Sequence, residues 1–440
     1  MSQVIELLQA LIGNACVNDG TPESGGEKRS VRTLQEFFGE EGEVFEPIPG
    51  RQSVVYRIPG SDPDAPSLAL VPHLDVVPVN RDSWSVEPFS ARVVDGWVFG
   101  RGALDMLNVT AAMAVAARPY ITGEKRPAGD LIFAAVADEE SGGRYGARPL
   151  VEEHWDLVHA DYLLTEVAYP PLTGSEGNLI PVATGEKGPF WTVLRTGGTP
   201  GHGSAPYGAD NALEKMTAAL HGIFESDTPV TITPEWREFV DSLSIDPDLA
   251  RQLTDPDAVD AAIDRLAAVD PTFARYAHAA THLTVSPNRM IAGTKTNTIA
   301  DSSRAEVDIR ALPGTGRNDI DVYLNKAMGS ASDHVDLEPV MDFDANFSVR
   351  PSDLWEVIAD SVEAIEGHRR LIPAMMTVVT DARFWRAKGT IAYGVGLFDD
   401  RMAFSEMLAL FHGNDERVSV ASVEKTLSLY VEILGRFGKT

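Results

Sequence analysis

The sequence predicts an α/β protein built on a mostly parallel sheet with helices on both faces, into which a separate α+β module is inserted. Three observations carry that reading. Short apolar runs of the buried-strand type alternate with helical stretches over residues 1–185. From 186 to 345 the strand-like segments become β-branched or alternating, as strands with one wet face should be. From 346 to 440 the α/β character returns. The outer segments, 1–185 and 346–440, therefore read as one discontinuous domain, and 186–345 as a second.

Taken in order, the first twenty residues read as an ordinary first helix containing Cys16. Leu68–Val71 (LALV), Leu131–Ala137 (LIFAAVA) and Tyr162–Leu164 (YLL) are predicted buried strands. Between the first two, Leu107–Ala117 is a helix rich in small residues that packs closely on a sheet, and Arg144–Asp156 suits a surface helix. The inserted module has predicted strands at Phe190–Arg195, Thr281–Ser286 and Ser303–Ile309, with helices at Asn211–Phe224 and Asp319–Met328. Its stretch Glu225–Asp270 holds twelve acids and three bases and reads as a solvated helical insertion. Helices Asp353–Glu366 and Val420–Phe437 follow.

Composition narrows the function classes. With 37 basic against 65 acidic residues the net charge is −28, which disfavours nucleic acid and anionic membrane as partners. No apolar run is long enough to span a bilayer. The first residues lack a basic segment and a small-residue cleavage site, so a cytoplasmic location is expected. Cys16 is the single cysteine, which excludes an intramolecular disulfide and a multi-thiolate zinc site. Neither a G-x-S-x-G elbow nor a phosphate-cradling G-x-x-x-x-G-K-[ST] loop is present.

The chemistry lies where apolar runs end in charge. His73 and Asp75 follow LALVP, Asp138, Glu139 and Glu140 follow LIFAAVA, Glu166 follows DYLLT, and His412 ends MLALF. Asp105 sits in the turn GRGALD before a helix. In parallel sheets, ligand chemistry gathers outside the carboxyl ends of the strands. Two histidines and three carboxylates suit a pair of divalent ions, zinc or another first-row metal, bridged by one carboxylate. Asp75 is spaced to receive the other N–H of a ligating His73. Glu139, beside a ligating Glu140, is placed to take a proton from activated water. His154, His159, His221, His278, His282, His334 and His368 read as surface or satisfied histidines.

Nine stretches, in order along the chain, resemble the M20 metallopeptidase family, the group of acetylornithine deacetylase, succinyl-diaminopimelate desuccinylase, aminoacylase and glutamate carboxypeptidase. They are PHLDVVP (Pro72–Pro78), GRGALDM (Gly100–Met106), ADEE (Ala137–Glu140), LLTE (Leu163–Glu166), GHGSAP (Gly201–Pro206), TNTIAD (Thr296–Asp301), DIRALPG (Asp308–Gly314), TDAR (Thr380–Arg383) and HGNDE (His412–Glu416). The resemblance implies a di-zinc hydrolase domain with an inserted lid that commonly dimerises. It also implies that His73 and Glu166 hold one ion, Glu140 and His412 the other, and Asp105 bridges them. Glu139 becomes the general acid/base and Asp75 the partner of His73, and a cis peptide is expected at Asp105–Met106. His202 matches a histidine that reaches the substrate carbonyl, often across the dimer, while Asn297, Arg310 and Arg383 match substrate-touching positions. For Arg310 a structural salt bridge with a neighbouring acid is the competing reading. Leu107–Asn108 departs from the Lys-Gly of many relatives.

The expected activity is hydrolysis of an amide in a small amino-acid-derived substrate with a free carboxylate, through two divalent ions, most simply zinc, with cobalt or manganese as alternatives. Glu166, where the family's dipeptidases usually have Asp, tilts this towards deacylation or carboxypeptidase action. The alternatives are a dipeptidase or aminopeptidase, and a catalytically silent relative that binds a small ligand.

Overall fold

The computed structural model describes residues 2–438. Its main sheet has ten strands, and the central ones are parallel. Leu68–Leu70 lies between Leu131–Ala135 and Tyr162–Thr165, parallel to both, and Ile391–Gly394 continues the parallel set beyond Tyr162–Thr165. Nearly every side chain in these strands is buried, because helices cover both faces. Gln3–Gly13, Leu107–Ile121 and Val420–Arg436 pack on one face. Ala147–Glu153 and Ala382–Arg386 pack on the other. Leu107–Ile121 is buried almost all round, which its alanines at 111, 112, 114, 116 and 117 permit by letting neighbouring backbones approach.

The chain leaves this sheet along Gly177–Glu186 and returns through Asn346–Phe347, which pairs antiparallel with the point of exit. Between them lies a five-stranded antiparallel sheet centred on Ser302–Ala311. Helices Ala212–Phe224 and Arg317–Met328 cover one of its faces with Met216, Ile223, Ile320 and Leu324.

The acidic stretch differs from expectation. It forms helices Pro234–Ser242, Pro247–Leu253 and Val259–Ala267, followed by Pro271–Thr281. Thr233, Asp246 and Asp270 cap the helices that start with proline, so local sequence explains each start. These helices are not a solvated appendage. Trp236, Phe239, Val240, Leu253 and Tyr276 are buried in the same core as the main sheet's first helical layer. Tyr276 Oη donates to the carbonyl of Met375 at 3.1 Å, on the strand Leu371–Met376. The acids sit on the outer side, and the apolar stripe at 236, 239 and 240 faces in.

Three smaller corrections follow. Thr281 ends a helix rather than opening a strand, because its Oγ1 bonds back to the carbonyl of Ala277 at 2.7 Å, and the strand runs Thr284–Ala292. The expected helix Arg144–Asp156 is two short ones, Ala147–Glu153 and Trp155–Val158, broken at His154. Cys16 lies just beyond the first helix, buried beside Ser30 Oγ, and burial raises its thiol pKa. Among the described residues no helix is long and apolar enough to cross a membrane.

Candidate metal centre

Leu70 is level with Phe133 on one side and Leu164 on the other. The segments beyond these three parallel strands therefore emerge together at one edge, and they deliver His73, the Glu139–Glu140 turn and Glu166. A separate three-stranded sheet brings in the rest. Arg417–Ser419 pairs with Trp97–Phe99, which sets His412 and Glu416 beside the turn of Asp105. The Asp105–Met106 peptide is cis, and Leu107 and Asn108 follow buried at the helix start.

Asp105 stands at the centre. Its Oδ1 lies 3.1 Å from Nε2 of His73, and its Oδ2 lies 3.2 Å from Nε2 of His412. Glu166 Oε2 is 3.7 Å from the first imidazole, and Glu140 Oε2 is 3.3 Å from the second. Ligand atoms of His73, Asp105 and Glu140 lie within 4.8 Å of one another, as do those of His73, Glu139 and Glu166. One carboxylate thus faces two His–Glu pairs with separate oxygens, the arrangement a bridging ligand needs. Glu140 Oε1 is buried without a hydrogen-bond partner, an orphaned acceptor that a cation would satisfy. The donor set fits two divalent ions.

The electrostatics agree. Burial outweighs the pull of His73 and, with smaller help from the charges of Asp105 and Glu140, pushes Glu166 up to about 8. Burial and Asp105 take Glu140 to about 7. Burial disfavours charge on His412, but its bonds to Asp105 and Glu140 prevail and carry it to about 10. Glu139 is held well above the usual carboxylate range by burial and by the charge of Glu166.

Backbone conformation is strained where the site needs it. Asp138, Val167 and His412 adopt positive φ of 69°, 69° and 56°, each at or next to a ligand candidate. Asp75 is fully buried and accepts the amides of Glu139 at 3.2 Å and Glu140 at 3.1 Å. Its backbone carbonyl, rather than its carboxylate, is nearest to Nδ1 of His73, at 3.0 Å against 3.7 Å.

A cavity of about 320 Å³ opens onto this cluster. Asp105, Glu139, Glu140, Glu166 and His412 line it on one side, Trp191, Arg310 and Met341 on the side of the inserted segment, and Val77, Gly142, Val378, Val379 and Arg383 complete it. Arg310 pairs with Asp308 at 3.1 Å while facing the cavity. Trp191 Nε1 donates to the same carboxylate at 2.8 Å. Arg383 gives Nη1 to the carbonyl of Thr380 and Nη2 to that of Gly142, and its guanidinium lies 4.3 Å from the ring centre of Phe384. Its fork is thus engaged by backbone, and only Nε lacks a partner.

His202 and Asn297 are exposed and lie together on the inserted module, through the bridge of His202 to Thr298 and the bond of Gly203 N to the Asn297 carbonyl. Neither lines the cavity. The remaining histidines stay outside the cluster, and His282 stacks on His278 and bonds Asp260 at 2.9 Å.

Several residues that support the site carried no sequence signal of their own. Asn18, Glu27 and Arg51 form a buried polar network behind Asp75 and Asp138. Glu186 and Arg386 pair at 2.8 Å beneath the TDAR helix. Arg101 pairs with Glu416 under the turn of Asp105. Glu416 lies inside the HGNDE stretch, so its position was visible although its role was not.

The chain belongs to peptidase family M20/M25/M40, whose model matches residues 69–436, and it is a hydrolase of that family. It is 24% identical to N-fatty-acyl-amino acid synthase/hydrolase PM20D1 of Xenopus tropicalis, over 98% of this chain and 85% of that protein. Aminoacylase-1 of Mus musculus is 23% identical over 95% of this chain and 91% of its own length. The M20 family metallo-carboxypeptidase Sso-CP2 from Sulfolobus solfataricus shares the fold, with a TM-score of 0.74 at 16% identity and full coverage of both chains.

Proposed function

We propose that the protein is a two-metal amide hydrolase acting on a small N-acyl amino acid or peptide with a free carboxylate. The composition of the cavity supports this most directly. Its acids are Asp105, Glu139, Glu140 and Glu166, all of them needed for metal or proton transfer, and its cations include Arg310. Among the described lining residues no further acid remains to receive a free α-amine. Asp381 is buried nearby but does not line the space. A substrate with its amine blocked and its carboxylate free therefore fits better than an unblocked dipeptide.

In this reading His73 and Glu166 would hold one ion and Glu140 and His412 the other, with Asp105 shared between them. Nitrogen and oxygen donors without thiolate suit zinc, and cobalt or manganese would also be accepted. When bound, such a pair supplies Lewis acidity and a lowered pKa for water. The protein's own groups do the rest. Glu139 takes the proton of the attacking water and hands it to the leaving amine, a transfer suited to a carboxyl held above its usual range. Asp75 fixes the turn that presents Glu139 and Glu140. Arg310 meets the substrate carboxylate, with Asp308 and Trp191 orienting its fork. Val77, Val378, Val379 and Met341 shape an apolar wall for the acyl group or side chain. Arg383 supports this wall and the turn at Gly142. His202 and Asn297, exposed on the lid, serve the cavity of a second copy in a homodimer, where His202 stabilises the developing oxyanion.

The test is turnover by metal-reconstituted protein of N-acyl amino acids against unblocked dipeptides. We expect kcat/KM at least tenfold higher for the acylated series, since unpaired polar groups discriminate strongly (~10-fold or more). A preference for dipeptides would replace this reading with a dipeptidase, and no turnover of either would leave a silent binding protein.

A further inference from the structure

We propose that Asn18 is a positioning residue for the turn that carries Glu139 and Glu140. The inference rests on the reading of those two residues given above. Asn18 lies outside the stretch matched by the family model, which begins at residue 69. It follows the first helix and is 3% exposed.

Each end of its side-chain amide is used. Nδ2 donates to Asp75 Oδ2 at 2.8 Å and to Asp138 Oδ1 at 3.1 Å. Oδ1 accepts from Ser141 Oγ at 2.9 Å and from the amide of Gly20 at 3.0 Å. Asp138 and Ser141 flank Glu139–Glu140 in sequence, so one side chain grips both ends of that turn. It also grips Asp75, which accepts both glutamate amides from beneath. Asp75 and Asp138 are both buried acids, and the shared amide group lets them lie close. Arg51 supports the far side, donating to Asp138 at 2.7 Å while its Nε bonds Glu27.

Only an amide of this length supplies two donors to acids and an acceptor to a hydroxyl from one position. An aspartate at 18 would place a third carboxylate against two others, and an alanine would leave both acids short of a donor. The backbone is anchored independently of the side chain. The amide of Asn18 bonds the carbonyl of Val76 at 2.9 Å, and the amide of Val76 bonds that of Cys16 at 3.0 Å. Truncation of the side chain therefore leaves the segment in place.

The experiment compares full-length wild type, Asn18→Ala and Asn18→Asp, each confirmed folded by circular dichroism. Zinc chloride is titrated calorimetrically into the chelator-stripped proteins, and kcat and KM are measured on the best acylated substrate. Groups that orient ligands typically change metal affinity or activity by about 10–100-fold. We expect that loss in affinity for one of the two ions, together with a fall in kcat at nearly constant KM, larger for Asp than for Ala. Two zinc ions bound with wild-type affinity and an unchanged kcat in both variants would overturn the assignment. So would a lowered Tm as the sole effect. If one variant does not fold, the other decides. If wild type hydrolyses no amide, the functional reading fails, while the zinc titration still decides the role of Asn18.

Discussion

Glu416 accepts the backbone amide of Asp105 at 3.1 Å across 311 positions of the chain. The same oxygen takes the amide of Leu104, and the other faces Gly102 and the buried guanidinium of Arg101. This carboxylate fixes the turn on which both imidazoles converge. Glu416→Gln keeps the shape but loses the charge that Arg101 needs. Leaving one member of a buried ion pair without its partner typically costs about 3–5 kcal/mol. We expect a lower Tm and fewer than two zinc ions per chain by elemental analysis. Two ions at wild-type Tm would show that Asp105 is held by other contacts.

Glu139 is the residue whose loss should separate binding from chemistry. Glu139→Gln is expected to retain both metals and to lose about 10²–10⁴-fold in kcat, the usual worth of a positioned acid–base group. Substantial activity in a variant of confirmed metal content would remove Glu139 from proton transfer.

His202 offers a different signature, because it is exposed and away from its own cavity. His202→Ala should lower kcat by about 10²–10³-fold, the effect of deleting an oxyanion donor, with metal stoichiometry intact. Mixing this variant with Glu139→Gln should restore part of the activity by pairing an intact cavity with an intact lid histidine. Absence of any recovery in a verified mixed dimer would confine His202 to its own chain.

The site's protonation gives a pH dependence with a definite sign. In the metal-free protein Glu140 and Glu166 titrate near 7 and 8, above their unfolded values, and His412 near 10. Between about pH 4.5 and 10 the folded state therefore binds more protons than the unfolded chain. That contribution to stability is complete at the acid end and is lost as pH rises. The Tm of chelator-treated protein should fall between pH 5 and 8 relative to a variant lacking these acids, such as Glu140→Gln/Glu166→Gln. Zinc affinity should rise over the same range, with protons released on binding, measurable by calorimetry in buffers of different ionisation enthalpy. Pure buffer-independent heats would contradict this.

Much of the centre was legible because parallel strands announce themselves as apolar runs and their ends must carry whatever the site needs. His73, Glu139, Glu140 and Glu166 each stand just past such a run. Asn18, Glu27 and Arg51 were not legible, since buried polar and ionic side chains resemble surface ones until a fold closes over them. The acidic insertion misled for a related reason. Its excess of acids over bases dominates the reading of the whole stretch, yet Trp236, Phe239 and Val240 hold helical spacing and bury one face. Arg383 shows that a residue can lie at a cavity wall with its donors turned to the backbone, a distinction no spacing reveals.

The small sheet joining Arg417–Ser419 to Trp97–Phe99 sets an order on biogenesis. His412 and Glu416 are translated after every other member of the cluster, yet the turn of Asp105 depends on them. A chain interrupted just upstream of residue 412 carries His73, Glu139, Glu140 and Glu166, but it lacks His412, the Glu416 anchor of the Asp105 turn and the helix Val420–Arg436 that covers one face of the sheet. In the reading proposed above, products that stop before residue 412 therefore cannot complete the metal centre, and folding of the site has to wait for this late segment.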